Sequence, residues 1–209
     1  MKRLLVVGLV ALAGCSLRPT YYQTLKEQAT ALRQGDLESA GIAFITPSTV
    51  TGQEQEKQVV ALAFADVLKH QRPGLKVSSL AETLSAVNRA GLTEPYKRMY
   101  DDYRDTGLFS SDTLRRVAEA TGTRYVAQLK LQGFGQGSKG RFGLLGLRIV
   151  ETLYGDVRVY LQIWDSRDGS IAWEGMHELR ISRDTTTEEP ITMRVLLERS
   201  AQELVAKLP

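Results

Sequence analysis

The sequence predicts an α/β fold, a single-domain mixed sheet of about five strands covered by helices. Three observations predict it. An apolar run followed by an amphipathic helix and a second short apolar run has the order strand–helix–strand, and a parallel pair needs such a crossover. Two later segments alternate apolar and polar residues cleanly with period two. Compact turn chemistry joins the second of these to a third strand, which makes that pair antiparallel.

The elements follow in chain order. Residues 16–38 are polar with Leu25, Ala29 and Leu32 spaced on one side, read as a tether and a short helix broken at Gly35-Asp36. Gly41-Ile42-Ala43-Phe44-Ile45, closed by Pro47, is a buried strand. Thr51-Gly52-Gln53-Glu54 has the spacing of a capping box and opens a helix with Val59, Val60, Ala63, Phe64, Val67 and Leu68 on one face. Pro73-Gly74 stops it, and Leu75 to Ser78 is a second short strand. Ser79-Leu80-Ala81-Glu82 is another capping box, and Gly91 terminates that helix. A helix over 94–105 and one from Ser110 or Ser111 to Gly122 come next.

Residues 124–134 alternate, with Tyr125, Ala127, Leu129 and Leu131 on the apolar side. Residues 135–148 are Gly-rich and read as a loop. Val157, Val159, Leu161 and Ile163 form a second alternating strand, Asp165 to Gly169 a turn, and Ser170 to Ile181 the returning strand. Trp164 and Trp173 flank that turn at mirrored positions and pair across it. Thr187 to Leu208 is a final helix with Pro190 in its first turn.

The first fifteen residues carry an address. Met1-Lys2-Arg3 is basic, Leu4 to Ala11 apolar, and Leu12-Ala13-Gly14-Cys15 small, the order of a secretory signal peptide. The apolar run is too short to span a bilayer as a helix, which takes roughly 20 residues. Cys15 is the single cysteine and has no intrachain disulfide partner. Leu12 to Cys15 resembles the lipobox of bacterial lipoproteins. That resemblance implies removal of residues 1–14, palmitate-type acylation of Cys15, and a lipid-anchored tether over 15–38 ahead of a periplasmic domain over 39–209. Ser16, where inner-membrane retention would place Asp, implies delivery to the outer membrane. Removing Lys2 and Arg3 leaves 25 basic against 24 acidic side chains, a formal +1. No basic run remains, and nucleic acid is not an expected partner.

The order of elements resembles a bacterial envelope superfamily. It includes the curli secretion channel lipoprotein, the N-terminal domain of the Tol–Pal propeller protein, and lipoprotein activators of penicillin-binding proteins. The residues that carry the likeness are Ile42-Ala43-Phe44-Ile45, Ala120-Thr121-Gly122-Thr123 leading into Arg124-Tyr125-Val126, and Ile163-Trp164-Asp165 with Gly169-Ser170-Ile171-Ala172-Trp173. The resemblance implies a non-catalytic accessory or assembly factor of an envelope complex, working through contacts with other envelope proteins, with a homo-oligomer as a further option. Its alternative is a subunit of an oligomeric secretion channel, with residues 134–156 as the inserted segment.

Candidate sites are few. Cys15 is the lipidation site, and that covalent lipid is the one cofactor expected. Tyr96, Tyr100 and Tyr103 stand at i, i+4 and i+7, either a face packed on the sheet or a partner-binding stripe. Phe142, Leu144, Leu145 and Leu147 are apolar residues in a predicted surface loop, which marks a contact. Asp101-Asp102-Tyr103-Arg104-Asp105 spells a magnesium-binding motif but lacks a facing acidic partner, so it reads as a solvated helix face. Gly133, Gly135, Gly137 and Gly140 join strands and do not lead into a helix, which excludes a phosphate-cradling loop. His70 and His177, with no cysteine cluster, give no zinc site. Nothing pairs a nucleophile with a base, and no enzymatic activity is expected.

Overall fold

The computed structural model describes residues 19–144, 147–185 and 190–209, and over 141–144 and 147–150 the backbone path alone. The predicted signal peptide, Cys15 and Leu145 lie outside the described residues. The α/β class holds, with seven strands in one mixed sheet. In chain order these are β1 (Thr20–Ala29), α1 (Asp36–Ala40), β2 (Ile42–Phe44), β3 (Ser48–Thr49), α2 (Glu54–Gln71), β4 (Val77–Ser78), α3 (Leu80–Arg89), α4 (Thr93–Thr106), α5 (Ser111–Thr121), β5 (Tyr125–Leu144), β6 (Leu147–Asp165), β7 (Ser170–Thr185) and α6 (Met193–Val205). The strand order is β1-β7-β6-β5-β2-β4, and β3 pairs with β5. β2 is parallel to β4 and β5, as the crossover requires. β5, β6, β7 and β1 form an antiparallel ribbon.

Two apolar layers clamp the sheet. On one face Val60, Phe64 and Leu68 of α2 and Leu196, Leu197 and Leu204 of α6 pack on Leu129, Val159, Leu161, Trp173 and Leu179. On the other, Val87, Met99, Leu114 and Val117 from α3–α5 pack on Ile45, Val126 and Trp164. The local signals that set these helices are visible. Ser79 and Glu82 close a reciprocal capping box, and Ser110 caps α5. Gly122 ends α5 at φ 63°, a left-handed position that favours glycine.

Four expectations are corrected. Among the described residues the strand count rises from about five to seven, because the segment read as a short helix over 16–38 contains β1 and because Ser48–Thr49, read as part of a connection, pairs with β5 as β3. The Thr-Tyr-Tyr-Gln-Thr start of β1 has strand propensity, and ten residues pair with β7. The Gly-rich stretch is not a loop but the continuation of β5, pairing with β6 as far as Leu144 and Leu147. Thr51 does not cap α2. Its hydroxyl bonds Glu56, and the helix starts at Glu54 after an extended Gln53. Trp164 and Trp173 do not pair. A register shift after Ile163 sets Trp164 opposite Ile171 and Ile163 opposite Trp173, so the two indoles enter opposite apolar layers.

Candidate interaction surface

The ribbon is covered unevenly. α2 and α6 cover one face, but on the other α3–α5 reach only the end near Trp164. The remainder is a polar sheet face that no helix among the described residues covers. Its rungs read Thr24–Glu178–Arg158–Gly133, then Tyr22–Arg180–Asp156–Gly135, then Thr20–Ser182–Tyr154–Gly137, from β1 across to β5. Arg158 and Glu178 pair across strands at 3.0 Å, and Arg180 and Asp156 at 3.7 Å. Both pairs are solvent-exposed, a setting worth at most ~1 kcal/mol each. They order the face more than they stabilise it. The face is concave, with a hollow of about 670 Å³ lined by Tyr22, Thr24, Gln132, Gly133, Arg158 and Arg180 among others.

Glycines make this face possible. A Cβ on Gly137 would lie 2.5 Å from the Tyr154 hydroxyl, and one on Gly135 3.0 Å from the Asp156 carboxylate. The side chains of β6 therefore lie down over a bare stretch of β5. Gly133 differs, because a Cβ there would meet nothing within 4 Å. That signal was present in the sequence as three glycines at period two, which is strand spacing.

The tyrosine stripe is placed elsewhere. Tyr96 and Tyr103 are buried, and Tyr100 is half-buried against the same cluster. Tyr103 stacks on Phe109 at 4.1 Å, and Phe109 meets Trp164 edge-on. The Tyr96 hydroxyl accepts from the Thr46 amide at 3.0 Å, and Tyr100 donates to the Thr46 carbonyl at 2.8 Å. Burial raises the phenol of Tyr96, and burial with the adjacent Tyr96 raises that of Tyr100 further. These three residues are the packed face of α4, and a partner does not reach Tyr96 or Tyr103. Tyr103 still touches the open face, donating to Gln162, which in turn donates to Glu174.

The other candidates resolve simply. Asp101, half-buried, and Asp105, exposed, pair with Arg104. His70 is exposed, its Nδ1 2.7 Å from the Asp66 carbonyl. His177 is buried beneath α6, neither ring nitrogen has a partner among the described residues, and burial lowers its pKa. Asp165, buried at the β6–β7 turn, is held by Arg124 and Arg167. Burial alone would raise its carboxyl, but the two guanidiniums prevail and bring it to about 2. No group of three or more potential metal ligands occurs among the described residues. None of their helices is long and apolar enough to cross a membrane.

The chain matches no protein-family model and no curated protein. It is similar in outline to solved structures. The PelC dodecamer from Paraburkholderia phytofirmans is 15% identical, with 91% of this chain and 94% of that chain covered and a TM-score of 0.42. Lipoprotein GNA1162 from Neisseria meningitidis is 16% identical, covering 80% and 96%, with a TM-score of 0.37. The LpoB C-terminal domain from Salmonella enterica is 13% identical, covering 66% and 82%, with a TM-score of 0.34. Likeness at this level describes the course of the chain, and no activity, ligand or partner comes with it.

Proposed function

We propose that this chain is a non-catalytic lipoprotein, anchored through Cys15 to the outer membrane and facing the periplasm, that serves an envelope complex as an accessory or assembly factor. The observation that carries this reading is the direction of β1. Thr20 shares a rung with Ser182, Tyr154 and Gly137, so the start of β1 and the far end of the β5–β6 hairpin point the same way. Cys15 lies five residues before Thr20, a reach of at most ~18 Å. Leu144 lies seven residues beyond Gly137 on β5, about 23 Å further along. Lipid and hairpin tip therefore address one surface. The tip sequence, with Phe142, Leu144, Leu145 and Leu147, suits the apolar side of that boundary, while the open sheet face stands above it for proteins to contact.

Fractionation of cell envelopes tests this. The full-length chain is expected in the outer-membrane fraction, released only by detergent, with a native mass above that of one chain. Cys15→Ala is expected in the soluble periplasm. A full-length chain that is soluble without detergent overturns the reading. One feature favours the second reading, a secretion-channel subunit. Past Gln132 the hairpin strands run on for about a dozen residues, and a membrane-crossing strand takes ~9–11. A ring-sized mass built from this chain alone that also conducts ions when reconstituted in a lipid bilayer selects it.

A further inference from the structure

The antiparallel ribbon ends in two unlike edges. On one side β1 presents a regular, bulge-free edge ten residues long. Only Leu25 is half-buried, and Tyr21 and Tyr22 are 52% and 65% exposed. Such a strand adds almost nothing to the core, yet it leaves a row of backbone N–H and C=O groups facing outward. On the other side β5 pairs with β2 and β3 only as far as Leu131. From Gln132 onward no strand among the described residues covers its outer edge.

These edges are complementary. β1 and β5 run in opposite directions across the ribbon, so β1 of one copy laid beside β5 of the next makes an antiparallel pair. The β5 edge is bare at Gly133, Gly135 and Gly137, the residue type that admits a close second backbone. The β1 edge carries the exposed Tyr22 on the same open face, where in such a pair its ring lies beside the Asp156 carboxylate and Tyr154 hydroxyl that cover Gly135 and Gly137. Residues of both edges, Tyr22 and Thr24 on β1 and Gln132 and Gly133 on β5, border the same hollow.

From this juxtaposition we infer that the partner of the β1 edge is a second copy of this chain, joined head to tail through Thr20–Thr24 against 133–137. The inference rests on the anchored reading above. Copies held by one membrane with their strands upright on it stand at equal height, and that arrangement sets Thr24 opposite Gly133, Tyr22 opposite Gly135 and Thr20 opposite Gly137. A pairing of one edge with a different edge repeats around a ring or along a filament and does not stop at two.

Disulfide trapping in the full-length, lipidated chain tests it. Thr24→Cys with Gly133→Cys places two thiols across the inferred junction, and Gly133 has room for the new side chain. Mild oxidation is expected to give a covalent ladder of dimers, trimers and larger species from the double variant and none from either single. Tyr22→Ala is expected to drop the native mass toward one chain while its thermal midpoint stays at that of the wild type diluted to one chain. A dimer from Thr24→Cys alone shows β1 paired with its own like and overturns the head-to-tail junction. An unlinked double variant whose native mass is one chain overturns it too, and if that protein still sediments with the outer membrane the accessory reading survives. A ladder from a chain that is not membrane-bound keeps the junction and removes the anchor.

Discussion

The two ends of the sheet are finished in opposite ways. β4 is two residues long, hemmed in the chain between the end of α2 and the start of α3, and its Val77 packs on the apolar layer under α2. β1 is ten residues long, bare on both sides and paired throughout. A short, hemmed edge is how a protein prevents further strand addition. A long, regular, uncovered one is its opposite. The contrast teaches that the helical body exists for stability, while the ribbon from β5 to β1 spends sequence on surface.

That contrast predicts where substitutions are felt. Phe64→Ala, at a fully buried α2 position near the β4 end, is expected to cost ~3–5 kcal/mol in urea unfolding. A cost under 1 would mean the body is not the stable unit. Gly175→Ala forces a methyl against Trp173 and Leu204 beneath α6 and is expected to cost ~1–3 kcal/mol.

Lowering the pH separates two parts of the ribbon by titration. His177 has a lowered folded pKa, so its contribution is intact above about 6.5 and fades as pH falls below that value. Its charged neighbours are Glu203, which raises the pKa, and Arg199, which lowers it, both on α6. His177→Phe is expected to flatten thermal stability between pH 7 and 5. Asp165 has its pKa lowered from 3.8 to about 2, so its contribution persists above 3.8 and is lost as pH falls toward 2. Ser79→Ala removes the capping box and is expected to cost ~1 kcal/mol. Smallest is Tyr22→Ala, within ~0.5 kcal/mol in the isolated chain. A larger loss would show that β1 is structural, and the contrast between edges would collapse.

The helical body was legible in the sequence. Ser79-Leu80-Ala81-Glu82 and Gly122 named their caps, and the alternation of Tyr125 to Leu131 against Val157 to Ile163 named the paired strands. The ribbon was less so. β1 buries only part of Leu25, and a strand that buries nothing leaves no hydrophobic period to read. Gly133, Gly135 and Gly137 hid a strand because glycine announces turns, and their period of two became meaningful only beside Asp156 and Tyr154. The tyrosine stripe shows the reverse limit. Tyr96, Tyr100 and Tyr103 had the right spacing for either a docking face or a packed one, and the approach of Phe109 and Trp164 decided it. The bulge that sends Trp164 and Trp173 to opposite faces had no sequence mark.

β1 also has a mechanical consequence. Its ten residues lie flat along β7, and just beyond, the Ala172 carbonyl accepts from Thr30, Ala31 and Leu32 at 3.0 Å each. A pull on the chain from the Thr20 end, along the strand axis, slides β1 past β7 and loads every one of those backbone bonds together. None can yield alone, as they would if the strand were peeled sideways. A protein tethered at that end resists tension in shear, so drag on the body is borne by the whole ladder at once.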